Sequence, residues 1–436
     1  MTALGPSPLI SGDELSVAQA RAAIGAALTP ILASERVALL QALGRVLADD
    51  VVSPIDVPAH DNSAMDGYAL RGADLHADAP TRLRVIGTVY AGDMPVLQAG
   101  PGECVRIMTG AVMPAGLDSV VPQELCQRHE PSAGDASEHD AAASIEIAAG
   151  TLRTGENRRF RGEDLARGKS AVRRGRVLQP ADLGLIASLG VAEVTVVRRL
   201  RVALFSTGNE LRTLGQPLEP GCIYDSNRYS LMAALARLGV EVVDLGLVRD
   251  EPAALQATLN QAVAVADVVL TSGGVSVGDA DHTRALLAQL GEVAFWKVAM
   301  RPGRPFAFGP LRRAEAGSAP CWLFALPGNP VASLVTFYAL VREALLTLAG
   351  AEARPLVVLQ ARCDTPIRKR PGRTEFQRGI VSQGADGAWR VRLTGAQGAG
   401  ILRSMSEANA LVVVGHEQGS VAAGDPVDVW LFDGLV

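Results

Sequence analysis

Between Ser16 and Asp49, apolar residues recur at helical spacing: Ala20, Ala23, Ile24 and Ala27, then Val37, Leu40, Leu43 and Leu47. With Pro30 between the two groups, the spacing predicts two helices. From Val51 to about Gly168 the period shortens. Runs at Leu83–Val89, Glu103–Met108, Ser119–Pro122 and Ala143–Ile147, punctuated by Gly and Pro, predict a β-rich unit. Within it, the Ala/Ser/Asp-rich stretch His129–Ser144 reads as an exposed loop tip. Pro180–Leu189 again has helical texture.

From Arg201 to Gly350 strands and helices alternate. Strands are predicted at Arg201–Ser206, Val240–Leu245, Asp267–Ser272, Val293–Val298 and Trp322–Leu326. Helices are predicted at Ser226–Leu238 (Ser226 as N-cap, Gly239 as terminator), Glu251–Ala264, Asp281–Leu290 and Val331–Leu348. Such alternation predicts a doubly wound, mostly parallel α/β sheet with helices on both faces. The tail returns to β texture at Leu356–Arg362, Trp389–Leu393, Ala410–Val414 and Val427–Leu431, which predicts a small β domain.

Length and composition narrow the picture. A chain of 436 residues is too long for one core, so three or four structural units are expected. The net charge of -5 argues against nucleic acid as a partner. Met1–Ser11 lacks the pattern of a secretion signal, and Val331–Leu348 is interrupted by Arg342 and Glu343, so neither export nor a membrane span is expected. Five dispersed cysteines (Cys104, Cys126, Cys222, Cys321 and Cys363) form no CxxC pair and suit buried thiols in the cytoplasm. Positive charge is carried by arginine, with Lys169, Lys297 and Lys369 the only lysines.

The candidate chemistry lies at the strand ends of the α/β region, where open sheets bind ligands. Ser206-Thr207-Gly208-Asn209-Glu210, Ser272-Gly273-Gly274-Val275-Ser276-Val277-Gly278-Asp279 and Pro327-Gly328-Asn329-Pro330 each follow a predicted strand. Small residues there let backbone N–H groups approach an anion. One such loop is ordinary turn chemistry, whereas three on one edge imply a phosphate-rich ligand. GxGxxG in a nucleotide-fold setting and GxxxxGK[ST] are both lacking, which argues against a dinucleotide site or a P-loop. Lys297, Arg301 and Arg304 fall within eight residues around Pro302 and Gly303, flanked by Phe295, Trp296, Phe306 and Phe308. Fixed guanidinium forks in that setting suit oxyanion recognition. Glu210, Asp250, Asp279 and Asp281 also follow strand ends, as helix caps or as hard oxygen ligands of Mg²⁺ beside phosphate.

Five segments carry a resemblance: Asp61-Asn62-Ser63-Ala64-Met65-Asp66-Gly67-Tyr68-Ala69, Arg106–Ala111, Arg161-Gly162-Glu163-Asp164, Thr271–Gly278 and Pro327–Pro330. In motif order from about Leu15 to the C-terminus, the chain resembles the molybdopterin molybdenumtransferase family, which includes the E domain of gephyrin. The resemblance implies Mg²⁺-dependent transfer of molybdate into adenylyl-molybdopterin, with release of AMP. It implies a homodimer with a site shared between subunits, and contact with the adenylyltransferase or with downstream maturation proteins. The expected domains are 1–53 with 169–199 (helical, dimerising), 54–168 (inserted, β-rich), 200–350 (α/β, molybdopterin-binding) and 351–436 (C-terminal β).

On that basis Asp61, Asp164, Glu210, Lys297 and Arg301 are expected to be catalytic, and Glu210, Asp250 and Asp281 to face the metal. Thr109, Ser206, Thr207, Gly208, Ser272, Gly273, Gly274, Ser276, Gly278, Asp281, Pro302, Gly303, Arg304, Pro327, Gly328, Asn329 and Arg373 are expected to hold the substrates. The chain departs from the family pattern at Asn209 (usually Asp), at Arg301 and Arg304 (usually Lys), and at Ala332 and Ala399, near which relatives carry Ser. Two alternatives remain open: a scaffold or molybdopterin carrier of the same family, and the adenylyltransferase that makes the substrate. The latter fits less well, because it lacks the Asp61–Ala69 motif and the C-terminal β part.

Overall fold

The computed structural model describes residues 14–130, 143–273, 286–287, 289–315, 317–352 and 356–434. Most of the expected loop tip at 129–144 and most of the helix expected at 281–290 lie outside them. The chain divides into two compact units, Met1–Asp49 with Gly175–Gln179 and Glu193–Val436, and Asp50–Arg174 with Pro180–Ala192.

The larger unit is organised by a seven-stranded sheet in the order Glu14–Leu15, Ala294–Val298, Pro305–Leu311, Cys321–Leu326, Val268–Ser272, Arg201–Thr207 and Glu241–Val248. Alternate residues of the Arg201–Thr207 strand enter different cores. Val202 and Leu204 pack with Leu231 and Leu235 of the helix Ser226–Arg237 and with Val331 and Val335 of the helix Pro330–Thr336. Ala203 and Phe205 pack with Leu255 and Leu259 of the helix Pro252–Val265. A strand covered on both faces has no polar side, which is why it reads as an unbroken apolar run. The sheet is mixed rather than uniformly parallel. Pro305–Leu311 runs antiparallel to both neighbours, because the short Ala299–Arg304 connection is a reversal with no room for a crossover helix.

Several sequence expectations are corrected. The second N-terminal helix is instead a strand, Ser34–Ala38, followed by a 3-10 turn, Leu39–Ala42. Its backbone pairs antiparallel with Glu193–Val197, and Gly44 at φ 72° breaks any continuing helix. The cap of the Ser226–Arg237 helix is Asp225, whose side chain accepts the Arg228 N–H, rather than Ser226. Pro305–Leu311 and Thr374–Gln383 are strands without a counterpart in the sequence reading. The Pro330–Leu348 helix is long and apolar enough to cross a membrane, but 72% of the relevant window is buried inside the protein, as befits a core helix. A π-helical stretch, Phe337–Val341, interrupts it.

Residues 359–431 form the second sheet, in which Thr374–Gln383, Trp389–Leu393, Leu359–Cys363, Pro426–Leu431 and Ala410–Val414 close into a ring through the pairing of its first and last strands. Met300–Arg301 adds to this ring beside Thr374 and so joins it to the α/β sheet. The smaller unit holds a six-stranded sheet in the order Ser119–Pro122, Gly67–Leu70, Glu103–Ile107, Thr81–Val89, Ser144–Ile147 and Cys126–His129.

One ion pair anchors the start of the central strands. Asp267 accepts both Arg198 Nη hydrogens at 2.7 Å and the Arg201 N–H at 2.9 Å. Burial alone would raise the Asp267 pKa, but these bonds and the charges of Arg198 and Arg313 hold it below the ordinary carboxylate value. A depressed carboxylate stabilises the fold above its unfolded pKa of about 3.9, and that contribution is lost as pH falls through the lower folded value. Asp267→Asn is therefore expected to cost about 2 kcal/mol at neutral pH. Thermal denaturation across pH should show the gap to wild type closing in strong acid.

Candidate functional site

A cleft of about 530 Å³ opens at the carboxyl ends of three parallel strands of the larger unit. Thr207, Gly208 and Glu210 come from one strand end, Gly273 from the second, and Pro327, Gly328 and Asn329 from the third. The turn Met300–Pro305 and, from the C-terminal sheet, Arg373 and Gln397–Ala399 form the opposite wall.

Backbone proximity makes the glycines necessary. Gly273 adopts φ 95°, and a Cβ there would overlap the carbonyl oxygen of Thr207. Gly303 adopts φ 106° with the Thr336 hydroxyl beneath it. A Cβ on Gly208 would sit 2.7 Å from Glu210 Oε2, so the carboxylate folds back over its own loop. Asn227 ties two strand ends together, its Nδ2 donating to Ser272 Oγ at 2.8 Å and to the Gly328 carbonyl at 2.7 Å. Ser206 is buried and donates to Asp225 at 2.9 Å. Ser206 and Ser272 thus brace the loops from below and do not line the cleft. Gly274, Ser276, Gly278 and Asp281 lie outside the described residues.

Two carboxylates stand exposed on the cleft wall without an ion-pair partner among the described residues, Glu210 and Asp250. Asp250 accepts the Thr207 hydroxyl at 3.2 Å, and its backbone N–H donates to Asn209 Oδ1 at 3.3 Å. The Asn209 departure therefore keeps the acceptor that holds Asp250 while removing one negative charge. Among the described residues no three His, Cys, Asp or Glu side chains cluster for a metal. Facing the carboxylates, Arg304 and Arg373 share Glu14, at 3.1 and 3.7 Å, and Arg301 lies 3.7 Å from Glu375. Lys297 is exposed on the strand Ala294–Val298 and does not line the cleft. Ala332 and Ala399 do line it. Ser333, next to Ala332, is buried, and its hydroxyl has no partner among the described residues.

In the smaller unit, the Asp61–Ala69 motif interlocks with Arg106–Ala111. Ser63 donates its N–H to the Ala111 carbonyl, and Gly110 donates to the Ser63 carbonyl. Thr109 gives Asp66 both its N–H and its hydroxyl, each at 2.7 Å, which holds the Asp66 pKa below the usual range. Asp61 accepts the Arg161 N–H at 2.8 Å and pairs with Arg158 at 2.9 Å. Asp164 is exposed, its N–H donated to the Val57 carbonyl.

These segments coincide with known family regions. Residues 15–190 match the MoeA N-terminal region (domains I and II), 203–347 a probable molybdopterin binding domain, and 360–432 the MoeA C-terminal region (domain IV). A molybdopterin molybdenumtransferase of Haemophilus influenzae is 40% identical over 92% of this chain and 95% of its own. One from a Nostoc species is 37% identical over 90% and 88%. The chain belongs to the molybdopterin molybdenumtransferase family. A solved molybdopterin biosynthesis MoeA protein from Pyrococcus horikosii superposes with a TM-score of 0.73 at 31% identity, covering 96% of this chain and 99% of that one. The family architecture follows: an N-terminal region, a central α/β region and a barrel-like C-terminal region.

Gln397 was missed as a site residue from sequence. The only available signal was its place in the Gly395–Gly400 run, since glutamine carries no distinctive chemistry by itself. The Gly273 geometry gives a direct test. Gly273→Ala is expected to destabilise the protein by about 1–3 kcal/mol, through an unfavourable φ and a backbone clash, measured as a drop in Tm.

Proposed function

We propose that this chain catalyses the family reaction, joining molybdate to adenylyl-molybdopterin with release of AMP. One observation carries the reading. Glycine-lined strand ends, the exposed carboxylates Glu210 and Asp250, and the arginines Arg301, Arg304 and Arg373 converge on a single cleft. Such a set suits two anionic substrates that must be brought together against their mutual repulsion.

Thr207, Gly208, Gly328 and Asn329 would cradle pterin and phosphate groups, and Gly273, whose N–H is taken by the Leu326 carbonyl, would let them approach its bare backbone. Arg301, Arg304 and Arg373 would bind molybdate and neutralise charge developing as the phosphoanhydride opens and AMP departs. An arginine stays charged throughout, so its role is electrostatic rather than proton transfer. The pterin dithiolene supplies sulfur to molybdenum, which relieves the protein of any cysteine ligand. Positioning two reactants is itself a large part of such catalysis.

Glu210 and Asp250, exposed hard oxygen donors with no ion pair among the described residues, fit a divalent metal such as Mg²⁺, with Asp281 as a further ligand. Bound there, the ion would screen the carboxylates from the phosphates and act as a Lewis acid. Asp61 and Asp164 are assigned catalytic roles and Thr109 a substrate-binding one from their family motifs, and Lys297 a role in stabilising phosphate charge from its place in the 297–304 cluster, in a homodimeric cytoplasmic enzyme with the four functional regions 1–53 plus 169–199, 54–168, 200–350 and 351–436. Contact with the adenylyltransferase, or with proteins that mature the cofactor, belongs to the same reading.

Asp250→Ala is expected to lower molybdate-dependent AMP release by at least about 10²-fold, the loss of roughly 3 kcal/mol of charge stabilisation. AMP would be quantified from purified adenylyl-molybdopterin with and without Mg²⁺. Unchanged release in the variant would contradict the placement of the metal. Tight binding without turnover in the wild type would favour a carrier, and would point to the missing hydroxyls at Ala332 and Ala399.

A further inference from the structure

One side chain, Asn227, fastens the second and third strand ends of the cleft to the helix Ser226–Arg237. Both of its Nδ2 hydrogens are used, on Ser272 Oγ at 2.8 Å and on the Gly328 carbonyl at 2.7 Å. The partners dictate the orientation of the carboxamide, since a carbonyl can only accept. Ser272 relays the contact, its hydroxyl donating to the Pro327 carbonyl at 3.5 Å. Two successive carbonyls of the 327–329 turn are thus held from one side, the first through Ser272 and the second directly.

The anchor is rigid. Asn227 lies in the first turn of its helix, where Asp225 accepts the Arg228 N–H at 3.2 Å. The buried Arg228 guanidinium pairs with Asp225 at 3.1 Å and with Asp244 at 2.6 Å. Leu231 and Leu235 of the same helix are buried in the core with Val202 and Leu204.

Peptide geometry carries the effect across the turn. The peptides that join Pro327 to Gly328 and Gly328 to Asn329 are both trans. In a planar trans peptide the N–H points opposite to the C=O. With the Pro327 and Gly328 carbonyls held on the Asn227 side, the Gly328 and Asn329 N–H groups are turned to the other. Neither has an acceptor among the described residues, and both residues are exposed on the cleft wall. The protein itself makes no demand for the glycine: a Cβ at Gly328 would meet only Gly273 Cα, at an ordinary 3.9 Å. Its bare backbone leaves the wall open to a ligand. A glycine peptide also reorients at little cost, so the two donors keep their direction only while Asn227 holds the carbonyl. Adjacent N–H groups in a turn suit one oxygen of a phosphate, and groups fixed in advance bind it without an ordering cost.

We propose that Asn227, relayed by Ser272, is a positioning residue for substrate binding: it aims the Gly328 and Asn329 N–H groups at a phosphate oxygen of the adenylate. Asn227 itself does not line the cleft and acts through the turn alone. The assignment rests on the reading of the cleft as the adenylate site.

AMP and adenosine separate aiming from mere support. Calorimetric titration of the full chain should show AMP bound about tenfold more weakly by Asn227→Ala than by wild type, equivalent to about 1.4 kcal/mol. Asn227→Asp, which keeps the shape but offers the Gly328 carbonyl no donor, should be impaired as strongly, and Ser272→Ala less so. Adenosine, which lacks the phosphate, should bind wild type and variants alike. In turnover, Asn227→Ala should raise the KM for the adenylate about tenfold and leave kcat and the KM for molybdate unchanged. Crystals of Asn227→Ala should show the peptide between Gly328 and Asn329 turned from its wild-type orientation. An unmoved peptide, an unaltered AMP affinity, an equal loss for adenosine, or a wild type that binds no AMP overturns the proposal. So does a rise in the KM for molybdate in place of that for the adenylate. Should Asn227→Ala fail to fold, the isosteric Asn227→Asp takes its place in every arm. A wild type that binds AMP but never releases it from the adenylate sinks the transferase reading, while the titrations still decide the role of Asn227.

Discussion

Parallel register in the central sheet is the constraint on which the cleft depends. Ser206 lies opposite Ser272, and Ser272 opposite Leu326, so three strands end at one level and three loops emerge side by side. A parallel sheet buried on both faces cannot slip by one residue without driving its apolar side chains out of both cores. The packing that stabilises the fold therefore also fixes where Thr207, Gly273 and Gly328 stand. Asp225 extends this coupling, capping one helix while accepting the buried Ser206 hydroxyl and pairing with Arg228 at 3.1 Å.

Electrostatics then sort the cleft into two sides. Carboxylates Glu210 and Asp250 project from the α/β loops, while Arg301, Arg304 and Arg373 project from the turn and the barrel edge. Glu14 and Glu375 partly neutralise the arginines from behind, which leaves their outer faces for ligand. Arginines on this wall present planar forks rather than mobile point charges, a geometry suited to bidentate contacts with oxyanions.

Much of this was legible in the sequence, for identifiable reasons. Strands such as Arg201–Thr207 and Cys321–Leu326 announce themselves because both faces are buried, and the Gly-rich loops because close backbone approach leaves little choice of residue. The long motif around Asp61–Ala69 carried the family assignment. What stayed hidden depended on tertiary partners. Ser34–Ala38 has helical spacing around it, yet it pairs with Glu193–Val197, more than 150 residues away. Pro305–Leu311 begins with proline and follows a reversal, a pattern that reads equally well as a loop. The place of Gln397, bonded to the Arg378 backbone, arises from a break in strand pairing that no local pattern encodes.

Coupling of molybdate to release of the adenylate in one cleft, as proposed, is best tested in a single-turnover experiment with the wild-type protein, adenylyl-molybdopterin and Mg²⁺, following AMP and molybdenum-loaded pterin together as molybdate is titrated. Both products should appear at the same rate and in equal amounts, and only when molybdate is present. AMP release that ignores molybdate, or bound adenylate that never turns over, would contradict it.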